Sequence, residues 1–244
     1  MERLKVLVLG DRGMLGHIVK KYFEKNSVEV CTVESKWPSQ EFKESLLNFD
    51  GDFIINCIGA IPQKTKFFDV NYDLPVWMSN VLHKKIVHPG TDCEMDLDDY
   101  GISKNKASSY IKGNSKNTKI LKTSIIGPEL ESKCSLMEWL LNSKGTVKGY
   151  MNAFWSGVTT LEWSKQCLNL INNWDSYEVE TVVEGDCLSK YDLLNKIKVV
   201  FNKDIEIEPF NNTHLNKCIT GKIKTSNIDS QLLELKEFYY NENS

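Results

Sequence analysis

The sequence predicts an α/β protein, a Rossmann-type doubly wound parallel sheet with a smaller, partly interleaved C-terminal lobe that binds substrate. Three observations carry that prediction. Short aliphatic and β-branched runs alternate with stretches of helical apolar period, a glycine-spaced turn joins the first run to the first helix, and no internal repeat or low-complexity linker breaks the alternation. The expected division gives residues 1–127 to a nucleotide-binding domain, to which elements over about 155–185 return, and residues 128–244 mainly to the substrate lobe.

The first run, 5–9 (KVLVL), has the composition of a strand buried on both faces. After it, Leu15, Ile18, Val19, Tyr22 and Phe23 fall at i, i+3, i+4, i+7 and i+8, one apolar face of a helix. Between them stands Gly10-x-x-Gly13-x-x-Gly16. A turn without Cβ atoms lets backbone N–H groups approach a pyrophosphate, with the positive end of the helix dipole behind it. Gly10, Arg12, Gly13, Met14, Leu15 and Gly16 therefore form the candidate cofactor cradle.

Residues 28–33 read as the second strand, and Glu34 follows it, where an acid would meet the ribose 2′-hydroxyl of NAD. Arg12 and Lys36 are equally suited to a 2′-phosphate, which leaves NADPH and NADH both open. A short helix is expected over 40–49 and a third buried strand over 52–59. The end of that strand puts Asn56, Gly59 and Ala60 at the carboxyl edge of the sheet, where open α/β folds bind ligands. Asp73 as N-cap and Pro75 in the first turn announce a helix over 71–83, which leads to a strand over 85–87. That strand runs into His88-Pro89-Gly90-Thr91-Asp92-Cys93.

Tyr100-Gly101-Ile102-Ser103-Lys104 opens a helix expected to reach about residue 112, so Tyr100 and Lys104, at i and i+4, project from one face. A free tyrosine titrates near ~10; a neighbouring ammonium favours the phenolate and brings the group toward the working range of an acid or base.

Together these residues resemble the extended short-chain dehydrogenase/reductase family: the glycine turn, then Thr91, then Tyr100-x-x-x-Lys104. More narrowly, Gly13-Met14-Leu15-Gly16, Thr91-Asp92 and Tyr100-Gly101-x-Ser103-Lys104 look like the dTDP-4-dehydrorhamnose reductase branch, and 154–162 resembles a downstream segment of such sugar-nucleotide reductases. The resemblance implies NAD(P)H-dependent reduction of a nucleotide-diphosphate-linked 4-keto-6-deoxy sugar in activated deoxysugar synthesis. It implies Tyr100 as proton donor, Thr91 as hydrogen-bond partner of the same oxygen, and Lys104 on the cofactor ribose and beside the phenol. Only eight residues separate Thr91 from Tyr100, fewer than the family usually has. Thr91-x-Cys93 has the spacing of bifunctional epimerase/reductases, in which a cysteine moves a proton beside the ketone. A third alternative is a non-catalytic nucleotide-binding or regulatory subunit.

In the second half a strand is expected over 120–126, helices over 135–141, 159–172, 189–200 and 227–240, and strands over 177–183 and 205–207. Thr159-x-x-Glu162 reads as a capping box. Asn152, Trp155 and Thr159 are the candidate substrate contacts, with aromatic and polar groups suited to a base or sugar.

Composition sets the outer bounds. With 244 residues, 41% hydrophobic and 26% charged, the chain can bury a sizeable core, and a net charge of -3 offers no footprint for nucleic acid. No apolar run is long enough for a membrane span and no signal peptide is evident. Seven dispersed cysteines without a Cys-x-x-Cys pair, and four scattered histidines, argue for a reducing cytoplasm and against a metal. A nucleotide sugar is the expected partner, with a homodimer as the assembly to test.

Overall fold

Four successive aliphatic residues in a strand have to be covered on both faces, and Lys5–Leu9 (β1) has such a run: after Lys5, Val6, Leu7, Val8 and Leu9 are all buried. In the computed structural model, which describes residues 3–211 and 214–240, β1 lies inside a parallel sheet with a strand on either side. The chain forms two compact units, Met1–Lys122 with Ser164–Thr181, and Thr123–Trp163 with Val182–Ser244. The second unit thus begins at residue 123 and the return to the first covers 164–181, against an expected boundary at 127 and a return over about 155–185.

The first unit contains helix Gly16–Lys25 (α1), strand Glu29–Thr32 (β2), helix Gln40–Leu47 (α2), strand Phe53–Asn56 (β3) and helix Val70–Val81 (α3). Strand Lys85–Gly90 (β4), helix Asp99–Asn114 (α4) and strand Thr118–Lys122 (β5) follow. The strands pair in parallel in the order β2-β1-β3-β4-β5. The order reverses beside β1, whose neighbours are β2 on one side and β3 on the other. That is the switch point where the carboxyl ends of an open sheet leave a crevice. Phe42 and Leu46 of α2 and Leu74 and Met78 of α3 pack with Leu7, Leu9, Ile54 and Ile86 into one core. The helix α3 begins earlier than expected, with Asp69 at its N-cap, so Asp73 and Pro75 lie inside it.

Past β5 the expected strand over 120–126 is two strands, since Ile125–Ile126 (β6) belongs to the second unit. Helix Leu136–Asn142 (α5), strands Thr146–Tyr150 (β7), Ala153–Trp155 (β8) and Val158–Thr159 (β9), and helix Thr160–Asn172 (α6) come next. Strand Glu180–Glu184 (β10) carries the chain from the first unit back into the second. Within the first unit, the Lys119 ammonium donates to the carbonyls of Trp174 and Tyr177, and the Trp174 ring meets Phe53 edge-on at 5.3 Å. These contacts tie 164–181 to the sheet.

The second unit is completed by strand Leu188–Ser189 (β11), helix Lys190–Val200 (α7), strands Glu206–Phe210 (β12), Leu215–Lys217 (β13) and Ile223–Lys224 (β14), and helix Ile228–Tyr239 (α8). Here β8 lies between β11 and β13, β7 pairs with β12, β6 with β9, and β14 with the second half of β10. These strands are two to five residues long; such short pieces have too few residues to declare a period of two. On α7, Leu193, Leu194, Ile197 and Val200 are all buried, and Ser189 caps it by accepting the Asp192 N–H at 3.0 Å. No described helix is long and apolar enough to cross a membrane.

Cys187 and Cys218 form a disulfide, closing a loop across a sequence separation of 31. That corrects the expectation from dispersal alone that all cysteines stay reduced. The two flank β11 and β13, and pairing of both strands with β8 brings them together.

Candidate active site

The glycine turn owes its shape to close backbone approach. Gly10 has φ +73°, and a Cβ there would lie 3.0 Å from the Cys57 carbonyl group; a Cβ on Gly16 would run into the carbonyl oxygen of Gly10. The turn is closed by the Gly13 N–H donating to Gly10 O at 2.9 Å and leads straight into α1. This is a backbone cradle that side chains would fill, which fits a pyrophosphate. Met14 is half-buried and Leu15 faces the core, so any contribution from Leu15 is through its backbone. Arg12 and Glu34 are both exposed.

Next to this turn, Asn56 ends β3. Its side chain is fully buried and committed within the fold: Oδ1 accepts the Ile58 N–H at 3.1 Å, and Nδ2 lies 3.2 Å from Nδ1 of His88. Asn56 therefore shapes the loop that follows β3. Gly59 is exposed and Ala60 half-buried, and the Ala60 backbone is held at both ends by Asn71, whose Oδ1 accepts from Ala60 N (2.8 Å) and whose Nδ2 donates to Ala60 O (3.0 Å). The same Nδ2 reaches Ser103 Oγ at 3.2 Å. Asn71 escaped the sequence reading because an asparagine in an apolar helical run reads as surface.

The short stretch between Thr91 and Tyr100 is a 3-10 turn, Asp92–Met95, and three further residues before α4 begins at Asp99. Thr91 caps the turn: its hydroxyl accepts the Cys93 N–H at 3.3 Å and donates to Asp92 Oδ1 at 2.9 Å, while Glu94 accepts the Thr91 N–H at 3.0 Å. Asp98 caps α4 by accepting the Gly101 N–H at 2.7 Å. The two caps leave no slack, so the short segment brings Thr91 to Tyr100 where a longer loop is usual.

Tyr100 and Lys104 lie in the first turns of α4. The Tyr100 ring packs edge-on against Phe68 with centroids 5.8 Å apart. Burial raises the Tyr100 hydroxyl above its ordinary pKa, and the nearby Cys93, Asp92 and Glu94 push it further up against the opposing effect of the Thr91 hydroxyl. Lys104 is 7% exposed; its ammonium donates to Pro89 O at 3.0 Å, and burial lowers its pKa to about 8, against the pull of Glu94 and Cys93. His88, fully enclosed on β4, is held well below its usual pKa by burial and by Lys104. Thr91, Cys93, Tyr100 and Lys104 thus form one group at the carboxyl end of β4. Ser103 sits a turn away, with its hydroxyl on the Tyr100 carbonyl at 2.7 Å.

The three second-unit candidates fare differently. Asn152 is half-buried. Trp155 is 6% exposed, with its indole N–H donating to Ser124 Oγ at 2.8 Å. Thr159 is 1% exposed, caps α6 through the Glu162 N–H at 3.2 Å, and gives its own N–H to Gln231 Oε1 at 3.0 Å. The Trp155 indole N–H and the Thr159 backbone N–H are thus used within the fold, and the Thr159 half of the expected capping box is present. Among the described residues, no group of His, Cys, Asp and Glu side chains could hold a metal ion.

No protein-family model matches the sequence, and no curated protein matches it. Solved structures do match over nearly the whole length. A dTDP-4-dehydrorhamnose reductase from Bacillus anthracis in complex with NADP superposes with a TM-score of 0.79 at 14% identity, over 98% of this chain and 99% of that one. A dTDP-4-dehydrorhamnose reductase from Clostridium acetobutylicum gives 0.73 at 16%, over 96% and 99%. A GDP-6-OMe-4-keto-L-xylo-heptose reductase from C. jejuni gives 0.70 at 12%, over 100% and 99%. At such identities the likeness is one of fold, and the Rossmann-like α/β architecture is shared throughout.

Proposed function

We propose that this chain is an NAD(P)H-dependent reductase of a nucleotide-diphosphate-linked 4-keto-6-deoxy sugar. The observation that carries the proposal is the grouping of Thr91, Tyr100 and a buried Lys104 at the carboxyl end of β4, in the same unit as the glycine turn. The names of the fold neighbours, reductases of nucleotide-linked keto sugars, support the same class.

Gly10 to Gly16 would hold the pyrophosphate, Arg12 or Glu34 the adenosine ribose, Gly59 and Ala60 the passage toward the nicotinamide, and Lys104 the nicotinamide ribose. The reduced nicotinamide supplies a hydride to the carbonyl carbon when bound. Tyr100 is raised in pKa and so stays protonated at neutral pH, as a proton donor to the forming alkoxide must. Once the proton has left, the Lys104 ammonium and the Thr91 hydroxyl stabilise the phenolate. Asn152 is the second-unit residue proposed to meet the sugar. A homodimer, a cytoplasmic location and independence of nucleic acid belong to the same proposal.

Tyr100→Phe tests it. With a panel of nucleotide-linked 4-keto sugars, the variant should lose at least about 10²-fold in ketone-dependent NADPH oxidation while still binding the cofactor. Undiminished turnover would refute the assignment.

The position of Cys93 favours a second reading. It lies within electrostatic reach of both Tyr100 and Lys104, so the thiol stands beside the group proposed to reduce the ketone. An epimerase step would have Cys93 exchange a proton at the neighbouring carbon. Deuterium from solvent entering that carbon, and failing to enter in Cys93→Ser, would support it.

A further inference from the structure

Glu94 is 3% exposed, and three donors from three elements converge on its carboxylate. Oε1 accepts the Thr91 N–H at 3.0 Å, from the end of β4, and the Ser108 hydroxyl at 2.9 Å, from α4. Oε2 meets the Lys122 ammonium at 2.7 Å, from the last residue of β5. The Glu94 backbone carbonyl accepts from Asn105 Nδ2 at 2.8 Å, a second tie to α4. Gly90 makes room for this arrangement: a Cβ there would stand 3.1 Å from Glu94 Oε1 and 3.0 Å from Lys122 Cβ.

Stability alone is a poor explanation for such a pair. Desolvating two charges costs about as much as their attraction returns, and apolar residues of similar volume commonly do as well. What an apolar pair would not do is link the strand end that carries Thr91 to the helix that carries Tyr100 and Lys104. Nor would it put a negative charge beside them. The groups acting on Lys104 are Glu94 and Cys93 from the 3-10 turn, and Lys104 in turn acts on His88 of β4; of these only Glu94 is a carboxylate.

We infer that Glu94, held by Lys122 and Ser108, is a positioning residue of the reaction site: it fixes Thr91 against α4 and keeps Lys104 in its ammonium form. The inference rests on the reductase reading for its consequence in turnover, but not for its electrostatics.

The electrostatic part is read in the unliganded protein. The Lys104 13Cε resonance, assigned by its loss in Lys104→Arg, should titrate near 8 in the parent. Glu94→Gln keeps the shape and removes the charge, and should move that titration down by about one unit. With a nucleotide-linked keto sugar, kcat should fall about 10- to 100-fold with little change in KM. The alkaline limb of the kcat/KM profile should move down with Lys104. In the single variant Lys122 still has Glu180 Oε2 at 3.9 Å; Glu94→Gln/Lys122→Met, which removes that cation too, should hold the Lys104 titration below the parent's while recovering folding.

If both variants leave the Lys104 titration and the pH profile in place and lower only the melting temperature, Glu94 is purely structural and the inference is overturned. If the parent reduces no ketone yet Lys104 follows Glu94, the electrostatic inference stands and the reductase reading falls.

Discussion

A residue kept for chemistry in a place where its charge is unfavourable should stabilise the fold when it is removed. Lys104 is such a residue. Its pKa is lowered from 10.5 to about 8 chiefly by burial, so at neutral pH the folded protein holds an ammonium that is more at ease in the unfolded chain. A shift of that size corresponds to roughly 3 kcal/mol, at about 1.4 kcal/mol per unit. Lys104→Met fills a similar volume without the charge. It forfeits the hydrogen bond to the Pro89 carbonyl, worth about 1–1.5 kcal/mol, so the net gain is about 2 kcal/mol at pH 7.

The sign has a pH signature. Below pH 8 both states carry the charge and the penalty is complete; it is relieved as pH rises from about 8 toward 10.5, and is absent above that. Urea unfolding of parent and variant across pH 7 to 10.5 should show the variant ahead by about 2 kcal/mol at the low end, or about 4–8 °C in melting temperature, with the advantage fading at the high end. Turnover should be lost at the same time. A variant less stable than the parent at pH 7, or an advantage that does not change with pH, would refute the argument that Lys104 is buried at a cost.

Three further outcomes are expected. Gly16→Ala drives a Cβ into the carbonyl of Gly10 and should weaken NADPH binding at least about tenfold in a fluorescence titration; unchanged affinity would move the cofactor away from this turn. Arg12→Ala should weaken NADPH binding about tenfold and leave NADH binding alone if Arg12 meets the 2′-phosphate, and the reverse insensitivity in parallel with a response to Glu34→Ala would assign NAD. The Cys187–Cys218 link closes a loop across a separation of 31, worth about 3–4 kcal/mol by chain entropy. Cys187→Ser should therefore melt lower than the parent and lose the parent's response to dithiothreitol; a parent indifferent to dithiothreitol would mean the bond does not form in solution.

The features legible in the sequence are the local ones. Spacing alone locates Gly10 to Gly16 between a strand and a helix, sets Tyr100 and Lys104 on one helical face, and indicates an alternating α/β order, because steric limits and helical period act within a few residues. The burial of Leu193, Leu194, Ile197 and Val200 was readable for the same reason. Tertiary structure decided everything that depends on residues far apart in the chain. That the amide of Asn56 meets His88, 32 positions away, is one such feature. The pairing of Thr159 with Gln231 and of Trp155 with Ser124 is another. The disulfide needed β8 to bring its cysteines together, and Glu94 has no meaning without Lys122, 28 positions away. A buried polar group is defined by which donors reach it, and that is a property of packing, which sequence spacing does not record.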